Sequence, residues 1–263
     1  MIELQNLSMT FNRGTAMETP ALRRLNLGIS AGQFVTVIGS NGAGKSTLLN
    51  ALAGEAAPDE GRVLVGGVDV TPWPTHKRAA LVARVFQDPL AGSCGTLSVE
   101  ENLSLAASRG KGRSLARAIS PPTRETFRGL LERLGLGLED RLEDKMELLS
   151  GGQRQAVSLL MATLKPMKIL LLDEHTAALD PKTAAFVLEL TRNIVAEQGL
   201  TTLMVTHSMA QALAVGTRTV MLHQGQVILD VEGEARQGLT VHDLLDMFQR
   251  ERGEVLDDDS ALG

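Results

Sequence analysis

Gly39-Ser40-Asn41-Gly42-Ala43-Gly44-Lys45-Ser46 is the stretch that decides the fold, because it joins an apolar strand to a helix through a glycine-rich loop. The strand is Phe34-Val35-Thr36-Val37-Ile38, and the helical stretch runs from Ser46 to Ala53. Glycines let backbone N–H groups turn inward around phosphate oxygens, and the helix N-terminus adds a partial positive charge. The pattern predicts a phosphate-binding loop in which Lys45 supplies a point charge at the terminal phosphates and the Ser46 hydroxyl coordinates Mg²⁺.

Two adjacent acids close a second apolar run, Ile169-Leu170-Leu171-Leu172-Asp173-Glu174. Open α/β sheets bind their ligands beyond the carboxyl ends of the strands, which is where these acids would lie. Asp173 is the candidate for binding Mg²⁺, directly or through water. Glu174 is the candidate base that accepts a proton from the water attacking the γ-phosphate. Acids end many buried strands, but beside a phosphate loop they predict the second half of an ATPase site.

A third motif separates the classes of phosphate-loop protein. Leu149-Ser150-Gly151-Gly152-Gln153 resembles the signature of the ABC (ATP-binding cassette) ATPases, and the chain is identified as similar to that family. Gln87, Asp180 and His207 then match, in the family's order, its Q-loop, D-loop and switch histidine. Phe11 lies where the family places an aromatic ring that stacks on adenine. The resemblance covers nearly the whole chain.

The resemblance implies an ATPase that uses Mg²⁺ and works as a homodimer or heterodimer, in which the signature of one subunit closes over the ATP of the other. His207 would hold the γ-phosphate and the attacking water, while Gln87 would link Mg²⁺ to a helical subdomain. Glu174 and His207 are thus the expected catalytic residues. The residues expected to bind ATP in one subunit are Phe11, Gly39, Ser40, Asn41, Gly42, Ala43, Gly44, Lys45, Ser46 and Thr47. Those expected to reach the other subunit's ATP are Ser150, Gly151, Gly152, Gln153 and Asp180, and those expected at Mg²⁺ are Ser46, Gln87 and Asp173.

The expected fold class is α/β, a P-loop NTPase with a mainly parallel core sheet, an N-terminal antiparallel β layer and an inserted helical subdomain. Ser98-Val99-Glu100-Glu101 predicts a capped helix, and Gln224-Gly225 predicts the turn of a hairpin. We expect a single domain over residues 1–250. The catalytic core with its β layer would occupy about 1–87 and 165–250, the helical subdomain about 88–164, and a disordered acidic tail 251–263.

Composition bounds the remaining classes of function. The 263 residues are 43% hydrophobic and 22% charged, typical of an ordinary globular protein. A net charge of −5 argues against a nucleic-acid partner. The apolar runs fall far short of the roughly 20 residues of a membrane helix. The single cysteine, Cys94, and a start without a secretory signal predict a cytoplasmic protein.

We therefore predict a cytoplasmic ATPase, peripheral on the inner face of the cell membrane, that energises a membrane-spanning permease subunit. The run from Asp173 to Asp180 and the long Q-loop region look similar to ATPases of bacterial importers that use a lipoprotein substrate receptor. A substrate-binding protein and a cargo of amino acids or related small solutes are then expected. A soluble non-transport ABC ATPase, such as that of iron–sulfur cluster assembly, stays open as the alternative.

Four further expectations concern single residues or segments. His175, directly after the acid pair, is interpreted as structural, and Cys94 as a loop residue. The basic residues Arg109, Lys111, Arg113 and Arg117 are interpreted as a solvated loop. The resemblance places a groove for a short cytoplasmic helix of the permease after Gln87. The segment offers the apolar residues Pro89, Leu90, Leu97, Val99 and Leu103, and several of these five should stay partly exposed.

Overall fold

The computed structural model describes the backbone of residues 1–110 and 118–252 and the side chains through residue 250. The chain divides into two compact units, one made of residues 1–78 with the described residues from 200 onward, the other of residues 79–199. The predicted boundaries of a helical subdomain near residues 88 and 164 stay a prediction. Residues 111–117 of the basic stretch and residues 253–263 of the acidic tail lie outside the described residues.

The helices and strands follow one another in chain order. The elements up to residue 78 are β1 (Ile2–Phe11), β2 (Thr19–Ile29), β3 (Phe34–Ile38), α1 (Lys45–Ala53), β4 (Glu60–Val65), β5 (Val68–Asp69) and α2 (Thr75–Arg78). The second unit contains β6 (Val82–Val85), α3 (Val99–Ala107), α4 (Pro121–Glu132), α5 (Gly151–Thr163), β7 (Ile169–Asp173) and α6 (Pro181–Gln198). The first unit is completed by β8 (Thr202–Val205), α7 (Met209–Val215), β9 (Arg218–His223), β10 (Gln226–Glu232) and α8 (Val241–Arg252).

An antiparallel sheet in the first unit has the strand order β2-β1-β4-β5. Leu4 of β1 lies opposite Leu27 of β2 and opposite Val63 of β4, and all three side chains are buried. Because side chains alternate between the two faces of a strand, this register gathers the apolar residues of three strands on one face. The N-terminal antiparallel layer predicted from the sequence is confirmed.

A second group of strands in the first unit carries the phosphate loop. β3 pairs in parallel with β8 on one side and with β9 on the other, and all five residues of β3 are buried. β10 pairs with β9 as an antiparallel hairpin. Its turn residues Gln224 and Gly225 have φ values of 46° and 79°, as a tight hairpin turn requires. The predicted hairpin is therefore confirmed.

Helix α8 closes one side of these strands. Leu244 and Phe248 are buried in a cluster with Ile38, Ala212 and Met221. The opposite face of α8 is polar, as in an amphipathic helix at the surface of a core. Residues 251 and 252, which the sequence assigns to a disordered tail, instead continue this helix.

Over residues 79–110 and 118–199, the second unit combines two parallel strands with four α-helices. β6 and β7 pair in parallel, with Val85 opposite Leu172. The predicted cap at Ser98 is confirmed, because the Ser98 N–H donates to Glu101 Oε2 at 2.7 Å and the Glu101 N–H donates to Ser98 Oγ at 3.2 Å. An apolar cluster joins the helices, and its fully buried members include Val99, Leu103, Leu131, Met146 and Val157.

A helix that crosses a bilayer must be both long and apolar. Across residues 1–110 and 118–252, no helix combines the two properties to the extent that crossing requires.

Candidate active site

The phosphate loop closes around its own lysine. Lys45 is the first residue of α1 and is only 7% exposed. Its Nζ donates to the carbonyl oxygens of Gly39 at 2.6 Å and of Ser40 at 3.1 Å. The ammonium group is therefore held across the loop at the N-terminus of a helix, where a cation and backbone N–H groups together suit a polyphosphate.

The glycines of the loop are favoured for two different reasons, which are close backbone contacts and positive φ angles. A Cβ on Gly39, at φ 148°, would lie 2.2 Å from the Leu222 carbonyl oxygen, and a Cβ on Gly44, at φ 102°, would lie 2.5 Å from the Ala21 carbonyl oxygen. Both contacts are with backbone, which cannot move aside. At Gly42, φ is 76°, and a Cβ there would have nothing within 4 Å of it. The loop thus packs tightly on one side and leaves room on the other, as a phosphate cradle requires.

The other residues of the first unit that the sequence assigns to ATP differ in exposure. Ser40, Asn41 and Ser46 are exposed, whereas Ala43 and Thr47 are buried. The hydroxyl of Ser46, next to Lys45, is a chemically suitable hard oxygen ligand for Mg²⁺.

Phe11 and His207 lie at the ends of strands in the same unit. Phe11 ends β1 with 44% of its surface exposed, so its ring has a face available for stacking. His207 follows β8 and is exposed. Its neighbours fix the backbone there, because the Ser208 N–H donates to Thr206 Oγ1 and the Gln211 N–H donates to Ser208 Oγ.

The two acids at the end of β7 have different environments. Asp173 is the last residue of the strand, and its Oδ2 accepts a hydrogen bond from Arg84 Nη2 at 2.5 Å. Glu174 has φ 42°, in the left-handed region that residues other than glycine rarely adopt. Such a conformation costs about 1–2 kcal/mol relative to a right-handed one. The strand therefore ends abruptly at Glu174, and the two carboxylates are set on different backbone geometries.

The Arg84–Asp173 ion pair is the feature of this site that the sequence analysis missed. Arg84 is the one charged residue within the four-residue strand β6, between Ala83 and Val85. A cation in so short and buried a strand is the signal that a carboxylate partner lies nearby.

The signature motif begins α5 as a helix cap. The Gln153 N–H donates to Ser150 Oγ at 3.3 Å, and the Ser150 N–H donates to Gln153 Oε1 at 3.1 Å. A Cβ on Gly152 would lie 2.1 Å from Thr183 Cγ2, and one on Gly151 would lie 3.2 Å from Leu179. The structure thus brings the signature against the segment that leads into α6.

Asp180 caps that next helix. Its Oδ1 accepts the Thr183 N–H at 3.1 Å, and hydrogen bonds from the side chain and backbone of Thr183 hold the pKa of Asp180 below its ordinary value. Signature and D-loop residues therefore lie together in the second unit, at the N-termini of two helices whose partial positive charges suit an anion.

Gln87 lies just beyond β6 and is exposed. The residue before it is fixed to the signature helix, because Gln155 Nε2 donates to the Phe86 carbonyl oxygen at 3.2 Å. An amide oxygen at position 87 is a chemically suitable ligand for Mg²⁺.

A groove of about 530 Å³ follows the Q-loop within the second unit. Its lining includes Phe86, Pro89, Cys94, Leu105 and Met161. Of the five apolar residues that the segment offers, Leu90 is 39% exposed and Leu97 is half-buried. Pro89, Val99 and Leu103 are buried, the last two in the core that joins the helices, so Leu90 and Leu97 are the members of the set at the surface.

His175 has the environment of a structural residue. It is 2% exposed, and its Nε2 lies 2.9 Å from Thr191 Oγ1 on α6. Burial lowers the pKa of His175 to about 4, so the ring is neutral at pH 7. The enclosed imidazole contacts Thr191 and so links the residue after the acid pair to α6, in agreement with the interpretation of His175 as structural.

Comparisons with known proteins agree on one family. The family model described as "ABC transporter" matches residues 22–177. A "Tyrosine transport ATP-binding protein" of Clostridioides difficile (strain R20291) is 45% identical over 249 residues, which are 95% of this chain and 99% of that protein. A thiamine import ATP-binding protein of Mesorhizobium japonicum is 39% identical over 203 residues, covering 77% of this chain and 75% of its own length.

A solved structure is similar over most of the chain. It is an ATP-binding cassette in a dimeric post-hydrolysis state bound to ADP and Pi, and it is 30% identical with a TM-score of 0.75. The match covers 88% of this chain and 98% of that one. The α/β fold class expected from the sequence is confirmed by this likeness.

We predict that His175 makes the protein less stable in mild acid. The unfolded chain binds a proton at His175 near pH 6.5, whereas the folded chain resists it down to about pH 4. Stability is therefore complete above pH 6.5 and falls as the pH drops towards 4, by about 2 kcal/mol between pH 7 and pH 5. Urea unfolding at both pH values measures this loss.

His175→Gln should reduce the difference between the two pH values, because glutamine keeps a polar group near Thr191 but does not titrate. His76→Gln is the matched control at an exposed histidine and should leave the difference unchanged. Equal pH sensitivity in the His175→Gln and unsubstituted proteins would contradict this account.

Proposed function

The chain belongs to the ABC transporter family of ATP-binding proteins, and we propose that it hydrolyses ATP to drive uptake of an amino acid or a related small solute through a membrane permease. The observation that carries the choice of cargo is its 45% identity to a tyrosine transport protein along almost the full length of both chains. The ATPase role itself follows from the family.

ATP binding rests on the phosphate loop in this proposal. Lys45 offsets the negative charge of the terminal phosphates, and the backbone from Gly39 to Gly44 surrounds them. The Lys45 ammonium exchanges its hydrogen bonds to two loop carbonyls for phosphate oxygens, so the bound nucleotide replaces contacts that already orient the side chain. Phe11 supplies the apolar face on which adenine stacks.

Three oxygen-bearing side chains are the proposed ligands of Mg²⁺: the Ser46 hydroxyl, the Gln87 amide and the Asp173 carboxylate. Hard oxygen ligands of this kind suit Mg²⁺, which when bound would neutralise charge on the phosphates. Asp173 keeps its orientation through Arg84, and Gln87 keeps its place through the bond between Phe86 and Gln155.

Hydrolysis is assigned to Glu174 and His207. Glu174 accepts the proton of the attacking water, and its left-handed backbone differs from the strand conformation of Asp173, the proposed metal ligand. His207 holds the γ-phosphate and the water in line for the attack. These assignments agree with the exposure of His207 and with the partial exposure of Glu174.

The signature is proposed to act on the ATP of a second subunit. Ser150, Gly151, Gly152 and Gln153 present the N-terminus of the 13-residue helix α5, and Asp180 lies at the start of α6. A dimer of two such chains, or of this chain with a related one, would thereby bury two ATP molecules. The dimeric state of the similar cassette bound to ADP and Pi supports this arrangement.

The groove after Gln87 is the proposed docking site for the permease. Its walls are formed by β6, the following loop, α3 and α5, so a helix seated there would contact the same elements that position Gln87 and the signature. A protein docked in this way would lie on the inner face of the membrane. A substrate-binding protein on the opposite face completes the proposed importer.

We predict that Glu174→Gln keeps ATP binding but slows hydrolysis about 10²–10⁴-fold, because the amide cannot accept a proton. The variant should accumulate as an ATP-bound dimer, which gel filtration detects. Phosphate release measures the rate, and nucleotide titration measures binding. Hydrolysis at the unsubstituted rate would move the base to another residue.

A second prediction tests whether two subunits share each site. Lys45→Ala should abolish tight ATP binding, and Ser150→Arg should abolish hydrolysis while ATP binding to the single chain survives. Mixed dimers of the two variants contain one site with both faces intact, so partial activity should return. Differential tagging proves that mixed dimers form. If such mixed dimers hydrolyse no ATP, the two subunits do not share each ATP site.

A third prediction concerns the permease. Leu90→Glu places a charge on an exposed apolar residue of the groove segment and should abolish co-purification with the membrane partner, while the melting temperature stays unchanged. Leu148→Glu is the matched control at a leucine that is 64% exposed and lies outside the segment that follows Gln87. Normal co-purification of a folded Leu90→Glu protein would argue against the docking site.

The same complex tests the cargo. Reconstituted in vesicles with its substrate-binding protein, the unsubstituted complex should accumulate radiolabelled tyrosine or another amino acid only when ATP is present. Absence of uptake across the amino acids, in a complex that hydrolyses ATP, would reject this class of cargo.

A further inference from the structure

The ion pair between Arg84 and Asp173 is embedded in the proposed metal site. Arg84 Nη2 lies 2.5 Å from Asp173 Oδ2, and the two side chains are only 10% and 16% exposed. An ion pair shielded from water in this way is stronger in Coulomb energy than a surface pair, although both partners lose hydration. The carboxylate assigned to Mg²⁺ therefore carries a fixed countercharge from the protein itself.

The same guanidinium also contacts the floor of the groove. Arg84 Cζ lies 4.7 Å from the centroid of the Phe86 ring, within the range of a cation–π interaction. Arg84 and Phe86 both line the groove of about 530 Å³. Arg84 thus contacts Asp173, the proposed metal ligand, through Nη2, and it contacts Phe86 of the groove through the face of its guanidinium group.

Phe86 is in turn coupled to the signature helix. The Phe86 carbonyl accepts a hydrogen bond from Gln155, and the Pro89 carbonyl accepts one from Ser158, both on α5. Gly92 also lies against Phe86, since a Cβ there would be 3.1 Å from the ring. A movement of the Phe86 ring would therefore affect the groove loop at Gly92, and a movement of the Phe86 backbone would affect the helix that begins at Ser150.

We propose that Arg84 is a positioning residue that competes with Mg²⁺ for Asp173 and, through Phe86, conveys the arrival of the metal to the permease groove. The inference rests on the proposed function, because it requires Asp173 to be a metal ligand. A guanidinium and a divalent cation that share one carboxylate repel each other. Each weakens the other's hold, so the contact of Arg84 with Phe86 changes when the metal is present.

A purely structural Arg84 predicts a different result. If it served only to join β6 to β7, its removal would lower the melting temperature and would leave metal affinity unchanged or weakened. Competition predicts the opposite direction, because Asp173 without its countercharge attracts a dication more strongly. The sign of the change in metal affinity separates the two roles.

Mn²⁺ titration followed by electron paramagnetic resonance measures whether metal affinity rises or falls, and it does not depend on ATP hydrolysis. All proteins carry Glu174→Gln, and ATP is present in excess. Arg84→Gln should bind Mn²⁺ about tenfold more tightly, whereas Arg84→Lys, which keeps the charge, should stay near the reference. Arg192→Gln, at an exposed arginine of the same unit, is the control and should change nothing.

Cys94 reports on the groove in the same proteins. It lines the groove and is exposed, and a hydrogen bond with Thr96 lowers the pKa of its thiol, which favours alkylation. In the reference protein, adding Mg²⁺ to the ATP complex should change the rate of maleimide labelling. Arg84→Gln should lose this change, and Phe86→Leu should lose it while keeping reference metal affinity.

Asp173→Asn separates failure of this inference from failure of the proposed site. If Asp173→Asn weakens Mn²⁺ binding but Arg84→Gln leaves it unchanged or weaker, the metal site stands and the competition is rejected. If Asp173→Asn has no effect, both are rejected. Should Arg84→Gln not fold, Phe86→Leu decides: an unaltered Mg²⁺-dependent change in Cys94 labelling overturns the coupling.

Discussion

The constraint on which the rest of this structure depends is the lack of space for a Cβ in the loop between β3 and α1. Gly39 is pressed against the Leu222 carbonyl of β9, and Gly44 against the Ala21 carbonyl of β2. Both sheets of the first unit therefore fix the phosphate loop, one by leading into it and the other by closing over it. Lys45 is held at the start of α1 as a result, with its ammonium group already oriented by the loop carbonyls.

In the second unit, the groups assigned to chemistry are the same groups that begin the helices. Ser150 and Gln153 cap α5, and Asp180 caps α6. Gly152 has no side chain because Thr183 occupies that space. Folding the two helices therefore places the signature and the D-loop side by side, because the residues of both motifs are themselves the helix caps. Glu174 carries the conformational strain, because its backbone adopts a left-handed conformation where β7 ends.

Charge at the proposed metal site is balanced within the protein. Asp173 faces Arg84, and Arg84 in turn lies over Phe86 at the groove. This arrangement places a positive charge where a metal ion would compete for the same carboxylate. It also explains how one strand of four residues, β6, contacts both the acid that ends β7 and the surface proposed to receive the permease.

The sequence by itself determined the features whose signals are local: the phosphate loop, the cap at Ser98, the hairpin turn at Gln224 and the acids that end β7. Each depends on backbone geometry within a few residues, which residue type controls directly. Only the tertiary structure decided that Arg84 reaches Asp173, 89 positions away, and that Val99 and Leu103 are core residues while Leu90 is exposed. Such facts depend on strand register and on helix packing between segments distant in the chain, and no short stretch of sequence specifies them.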